Sequence, residues 1–224
     1  LETAHLFVLR AGENLVYHPL FQEFLHRMLV NSTSAQEMKR LHDAASAHFV
    51  GRNDYSSAVR HLLKAGRYDR AARILERHSE YWSSLDRNAR FIRLAEMIPE
   101  PCLERHPRLR LEKAGMHIEL GHVEKGLVDI DKALKRMRAS GDRRGMFEAY
   151  RMKSMTGTLL MRPSRTVYYI KKAYALCGKR RSREKTAVLI ALGAAYRVLG
   201  RFSRAETVLR DALVHARALK DDAM

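Results

Sequence analysis

Apolar positions recur every three or four residues along most of this chain, the period of amphipathic helices. The front end departs from that period. His5-Leu6-Phe7-Val8-Leu9-Arg10 and Leu15-Val16-Tyr17-His18 read as two short strands around the Gly-containing turn Ala11-Gly12-Glu13-Asn14. Pro19 then suits a first helical position, where its missing N–H costs no intrahelical bond. Leu20, Phe21, Phe24, Leu25, Met28 and Leu29 follow at helical spacing. Ser34 and Glu37 have capping-box spacing and predict a helix to about Phe49. Asp54 can cap the next helix, which carries Ala58, Leu62 and Leu63 and stops at Gly66, and a fourth begins near Tyr68. The pattern weakens beyond Trp82 and returns from Asn88 to Met97. Pro99, Pro101 and Pro107 punctuate a connector that is the best candidate for a boundary.

From Leu109 onward the pattern repeats. Gly121, Val123, Gly126, Ile130 and Ala133 share their spacing with Gly200, Phe202, Ala205, Leu209 and Ala212. Met161, Pro163, Thr166, Ile170 and Ala173 take the same offsets in degraded form. A period near forty residues marks a solenoid of helical hairpins, each needing a neighbour to cover its apolar face. The glycine ends a first helix in the left-handed conformation, the apolar residue two positions on is expected to pack into the turn, and the alanines allow close approach. With Leu189, Leu192, Gly193 and Tyr196 on the preceding helix, the last unit carries nearly the whole tetratricopeptide signature.

Composition agrees with a mostly α protein: five prolines and twelve glycines in 224 residues are few for a loop-rich β chain. Cys102 and Cys177 stand far apart in no redox or metal spacing, which points to a reducing, cytoplasmic setting. Neither a signal-peptide layout nor a spanning apolar run is visible, so no membrane role is expected. Charge changes the picture more. The net charge is +17, and from Lys135 to Lys185 sixteen Lys and Arg face only Asp142, Glu148 and Glu184. Such a field attracts phosphates or acidic partners.

The front half also carries motifs in a particular order: Leu15-Val16-Tyr17-His18-Pro19-Leu20-Phe21-Gln22-Glu23-Phe24-Leu25, then Leu41-His42-Asp43-Ala44-Ala45. After these come Tyr55 to His61, Ala65 to Ala72, and His106-Pro107-Arg108-Leu109. Over residues 3–135 this order resembles the MalT-like, LuxR-type ATP-dependent transcriptional activators, in which a winged-helix domain leads into helical repeats. The resemblance implies a fragment of a larger regulator whose NTPase module precedes this region and whose helix-turn-helix domain follows it. ATP and DNA would then be partners of the parent protein only. No Gly-x-x-x-x-Gly-Lys-Ser/Thr exists here, since Ala173 and Arg180 replace the first Gly and the hydroxyl around Gly178-Lys179.

The expected architecture is therefore a winged-helix remnant (1–32), a helical arm with tetratricopeptide-like hairpins (33–106) and tetratricopeptide-like repeats (107–224) curving right-handedly. The expected function is a sensor and coupling region that binds an inducer or a partner protein, with self-association open. A stand-alone tetratricopeptide adaptor and a basic nucleic-acid-binding repeat are the alternatives. Repeat geometry nominates Met116, His117, Lys153, Gly157, Tyr196 and Arg197 as the ligand surface. Lys179, Arg180, Arg181 and Arg183 are anion-contact candidates, with a solvated loop joining repeat helices the favoured reading. Tyr168 and Tyr169 are candidates for base stacking, with a core role favoured. Met146, Met152, Met155 and Met161 form a loose patch, either core or an adaptable ligand surface. No two histidines stand four apart, and His117 with His122 makes a poor ligand pair, so no metal is expected. Glu112 and Glu119 share a helix face with nothing evident to raise a pKa, and no catalytic constellation stands out.

Overall fold

A computed structural model describes residues 7–11, 14–82, 85–178 and 182–221. They form two strands, twelve α-helices and one 3-10 turn. The residues fall into two compact units that divide between Arg67 and Tyr68. That division lies ahead of the Pro99–Pro107 segment, where Glu100–Arg105 form a short helix rather than an open connector.

In the first unit, β1 (Val8–Ala11) pairs antiparallel with β2 (Asn14–Tyr17), with Val8 opposite Tyr17. α1 (Pro19–Ser32) begins at Pro19 behind His18, whose ring accepts the Leu20 N–H. α2 (Ala35–Gly51) is capped by Ser34 through the Glu37 N–H at 3.1 Å. α3 (Tyr55–Lys64) is capped by Asp54 through the Ser57 N–H at 3.0 Å. Both caps satisfy donors that a helix start leaves without partners. α2 and α3 pack together, and between them His42 Nδ1 lies 3.0 Å from His61 Nδ1.

The second unit opens with α4 (Tyr68–Arg77), the 3-10 turn Ser79–Trp82, α5 (Leu85–Glu96) and α6 (Glu100–Arg105). Here Trp82 and Phe91 are fully buried against each other, ring edge to face at 5.6 Å. Three helical hairpins follow: α7 (Pro107–Glu119) with α8 (Val123–Ser140), α9 (Arg143–Leu159) with α10 (Pro163–Leu176), and α11 (Arg183–Val198) with α12 (Phe202–Asp221). Each packs on the next, so two apolar layers run across hairpin boundaries. One gathers Ile130, Ala133, Leu134 and Met137 with Tyr150 and Ala173; the other gathers Val167, Ile170, Leu192, Tyr196 and Ala205. The architecture is thus mostly α, a superhelix of tetratricopeptide-like hairpins preceded by a β-hairpin. Among the described residues no helix is long and apolar enough to cross a membrane.

Every left-handed residue among those described ends a helix: Asn53, Gly66, Gly121, Gly141, Met161 and Gly200. At each, two backbone bonds close the turn, as in Gly121 N–H to Ile118 C=O (3.0 Å) and His122 N–H to His117 C=O (2.7 Å). This paired pattern satisfies carbonyls that a helix end leaves free. Met161 repeats it, through Thr158 (3.0 Å) and Gly157 (2.7 Å), at φ 54° without being a glycine. The degraded middle repeat keeps the turn and bears its steric cost. One expected role is corrected: Phe202 does not pack into the last turn but stands 69% exposed, because α12 leaves that side uncovered.

Among the described residues, the Arg, Lys and Asp side chains that enter the interior do so in pairs. Arg110, buried on α7, donates to Asp129 (3.2 Å) and Glu100 (2.8 Å), and Lys113 joins Asp129 at 3.1 Å. Removing one member would leave a buried charge unbalanced.

Candidate functional site

The first helices α7 and α9 face each other across a groove of about 540 Å³. From α7 come Arg108, Leu111, Glu112, Gly115, Ile118 and Glu119, and from α9 come Arg144, Glu148, Arg151, Met152 and Met155. Three- and four-residue spacing puts each set on one helix face. Gly115 lets the helices approach, since a Cβ there would stand 3.1 Å from Met152 Cε.

The groove carries both charges, Glu112, Glu119 and Glu148 among Arg108, Arg144 and Arg151. Glu119 accepts a 2.6 Å hydrogen bond from the buried Asn88, and Glu148 pairs with Arg151 at 2.9 Å. Arg108 pairs with Asp142 at 3.4 Å. Among the described residues Glu112 has no ion pair. Glu112 is an exposed residue, yet the groove atoms around its carboxyl desolvate it enough to push its pKa up, and Glu148, Glu119 and Glu76 add to the shift. The expectation that nothing would perturb Glu112 is therefore corrected. Its perturbers come from α9, from two turns further along α7 and from Glu76 on α4, and Glu148 lies 36 positions away in sequence.

None of the nominated ligand residues lines this groove; Lys153 and Gly157 border a second one of about 260 Å³ with Asp131, Arg162, Arg165 and Tyr169, and Arg197 borders a third beside Phe202. Met116, His117 and Tyr196 are buried inside their hairpins. Burial lowers the His117 pKa, with Lys113 adding to the effect, so it sits neutral in the packing rather than offering a charge. Lys153 is buried too. It holds Asp131 of α8 at 2.5 Å and lies over the Tyr169 ring of α10 at 4.7 Å, which makes it a staple between helices. Gly157 is buried against α10, where a Cβ would meet Thr166 Oγ1 at 2.7 Å. Only Arg197 is exposed. The nominations fell on the side of each first helix that meets its own partner. The open side is offset by one position from Met116 (Gly115) and from Lys153 (Met152), a rotation of about 100°.

Of the anion-contact candidates, Lys179, Arg180 and Arg181 lie outside the described residues, while Arg183 is exposed at the first position of α11. Tyr168, expected in the core, is 55% exposed with Lys172 above its ring at 5.6 Å; Tyr169 is half-buried. Of the methionine patch, Met152 and Met155 line the groove, Met146 packs on the core and Met161 caps α9.

A second polar cluster sits where α4 meets α6 and α7. Asp69 Oδ1 lies 3.3 Å from Cys102 Sγ and 3.2 Å from His106 Nε2, and both Asp69 oxygens accept from Arg105 at 2.9 Å. His106 Nδ1 lies 3.3 Å from Glu76 Oε2, and Glu76 Oε1 accepts the Leu109 N–H at 3.0 Å. The Arg105 hydrogen bond, then those from Cys102 and His106, hold the Asp69 carboxyl down to about 2. Burial, then Asp69, pushes the Cys102 thiol up to about 11. Sequence reading passed over this cluster, although Cys102 and His106 stand four apart, a spacing that places two ligands on one helical face.

No known family profile and no curated protein sequence matches the chain. Solved structures do match. BtubC (BKLC) from P. vanneervenii superposes with a TM-score of 0.59 at 16% identity, covering 88% of this chain and 92% of that one. MamA protein superposes at 0.57 with 11% identity, covering 81% and 93%. At such identities the likeness establishes the fold, a tetratricopeptide-like helical repeat, and nothing finer.

Proposed function

We propose that this chain is a protein-interaction scaffold that holds a segment of a partner in the α7–α9 groove. The observation that carries the reading is Glu112, a carboxylate crowded by three others and, among the described residues, without an ion pair. A lysine or arginine side chain placed there would supply the missing charge. Met152, Met155 and Ile118 offer an adaptable apolar floor to the residues beside it. Arg108, Arg144 and Arg151, which also line the groove, in a chain of +17 net charge, favour acidic residues beside that cation. The occupant is therefore a segment with a central basic residue in an acidic, apolar frame. The role is binding rather than catalysis: Cys102 is held as a thiol, the opposite of an activated nucleophile. The test is fluorescence anisotropy of the full chain with two labelled peptides, Leu- and Met-bearing with flanking Asp, one with a central Lys and one with a central Glu. The Lys peptide should bind more tightly, and Glu112→Gln with Glu148→Gln should abolish the difference. Equal binding by both peptides would overturn the reading.

A second reading, the sensor region of a MalT-like regulator, is favoured by one observation. α1 has no buried side chain, and Leu20, Phe24 and Met28 stand exposed on it. An apolar helix behind a β-hairpin suits a junction with a further module, and the repeat surface would then receive an inducer. Reading the flanking coding sequence tests this: neither an NTPase module upstream nor a helix-turn-helix downstream would end it.

A further inference from the structure

We propose that Asp69, Cys102 and His106 form a binding site for a zinc-class divalent cation, with Glu76 as the residue that orients the histidine. A tetrahedral zinc site with sulfur, nitrogen and oxygen ligands at their usual bond lengths places neighbouring ligand atoms about 3.4–3.6 Å apart. The observed edges from Asp69 Oδ1 are 3.3 Å to Cys102 Sγ and 3.2 Å to His106 Nε2, and all three ligand atoms lie within 4.8 Å of one another. The ligand chemistry is the mixed thiolate, imidazole and carboxylate set that suits zinc and cobalt over calcium or magnesium.

Three further features point the same way. Cys102 is buried and His106 nearly so, so two ligands are already desolvated and fixed by packing. His106 uses its other ring nitrogen on Glu76, the carboxylate–histidine arrangement that sets tautomer and ring orientation behind a metal-bound nitrogen. Glu76 is in turn anchored by the Leu109 N–H at 3.0 Å in the first turn of α7. Asp69, at 45% side-chain exposure, is the open side, through which a cation enters and a water completes the fourth position. Arg105 competes for the same carboxylate but is itself 55% exposed. It can keep Oδ2 while Oδ1 turns to the metal, or withdraw into solvent.

Binding has a definite proton balance. The Cys102 thiol loses its proton to solvent as the sulfur–metal bond forms, His106 binds as neutral imidazole, and Asp69 is already ionised. One proton is released per cation, so affinity rises with pH. The bound cation would tie α4 to the α6–α7 corner at the start of the repeat stack. None of the three ligand residues lines the groove, although Glu76 also adds to the shift at Glu112.

The experiment is titration of the reduced full chain with Co²⁺ alone, followed by displacement with Zn²⁺. The expected result is a thiolate-to-cobalt charge-transfer band in the near ultraviolet at one equivalent, erased by Zn²⁺. Cys102→Ser should remove the band and Cys177→Ser should leave it. Glu76→Gln should weaken Co²⁺ binding by about 10–100-fold while keeping the band at saturation. Arg105→Gln should tighten binding by removing the competitor. If Cys102→Ser loses helical circular dichroism, His106→Gln replaces it as the ligand variant, and loss of the band in that variant supports the site equally. Cobalt bound without a sulfur band, or a band that survives Cys102→Ser, would overturn the proposal and assign the metal to exposed histidines.

Discussion

α1 and α8 carry the same kind of apolar period and meet different fates. α8 buries Ile130, Ala133, Leu134 and Met137, while α1 buries nothing among the described residues, its Phe21 stacking on Phe7 at 4.6 Å and on Phe24 at 6.3 Å and meeting Tyr17 edge to face at 5.7 Å. Amphipathicity alone builds no core. α8 lies between α7 and α9, each delivered within one repeat by a tight turn. The first unit has one helix pair, α2 with α3, and its α1 has no such neighbour among the described residues.

The contrast is broken most strongly by truncating the layer that α1 lacks. Ile130→Ala should cost about 2–5 kcal/mol by urea unfolding, whereas Phe24→Ala should stay within about 0.5 kcal/mol. A comparable loss in both would mean that α1 is covered in solution. Asp131→Ala comes next. It strands the buried Lys153 ammonium against Tyr169, and about 1–3 kcal/mol of stability should disappear in the same assay, with Lys153→Met in the Asp131→Ala background recovering much of it. A smaller effect of opposite sign is expected at Met161, 85% exposed and left-handed. Met161→Gly should raise stability by about 0.5–1 kcal/mol, because it relieves the turn and removes no packing. No gain in melting temperature would show that the turn relaxes without help.

The subtlest test concerns pH in the first unit. Burial lowers the pKa of both His42 and His61, with Lys64 and His26 adding to the shift at His42, and with His42 (its ring 3.0 Å away), Lys64 and Arg60 adding to the shift at His61. The folded state therefore prefers the neutral rings. Their contribution is fully present above the unfolded value of about 6.5 and is lost as pH falls below it through the depressed folded values. Amide exchange in α2 and α3 should accelerate from about pH 7 to 5, and His61→Phe, which keeps the stack on Phe49, should flatten the change. A local readout is needed because burial depresses His78 and His117 in the second unit as well.

Much of the fold was legible because its signals are local. Ser34, Asp54 and the turn glycines act on backbone groups a few residues away, so their spacing alone places helix ends. The forty-residue period and its small residues predicted close packing, and Ala133, Ala173 and Ala212 are indeed buried. The site was less legible because it depends on rotation about helix axes. Met116 and Gly115 are adjacent in sequence, yet one faces the partner helix and the other the groove. The groove joins Glu112 to Glu148 across two repeats, and the Asp69–His106 cluster joins α4 to α6. Neither long-range pairing leaves a trace in local spacing.

The turn at Met161 has a consequence for how this repeat is inherited. Its φ and its two closing hydrogen bonds match those at Gly121 and Gly200, though the residue that makes such a turn easy is gone. The architecture is thus written in the backbone more durably than in the alphabet of side chains. A chain built this way can drift in letters, one tolerable strain at a time, while remaining recognisable as a shape.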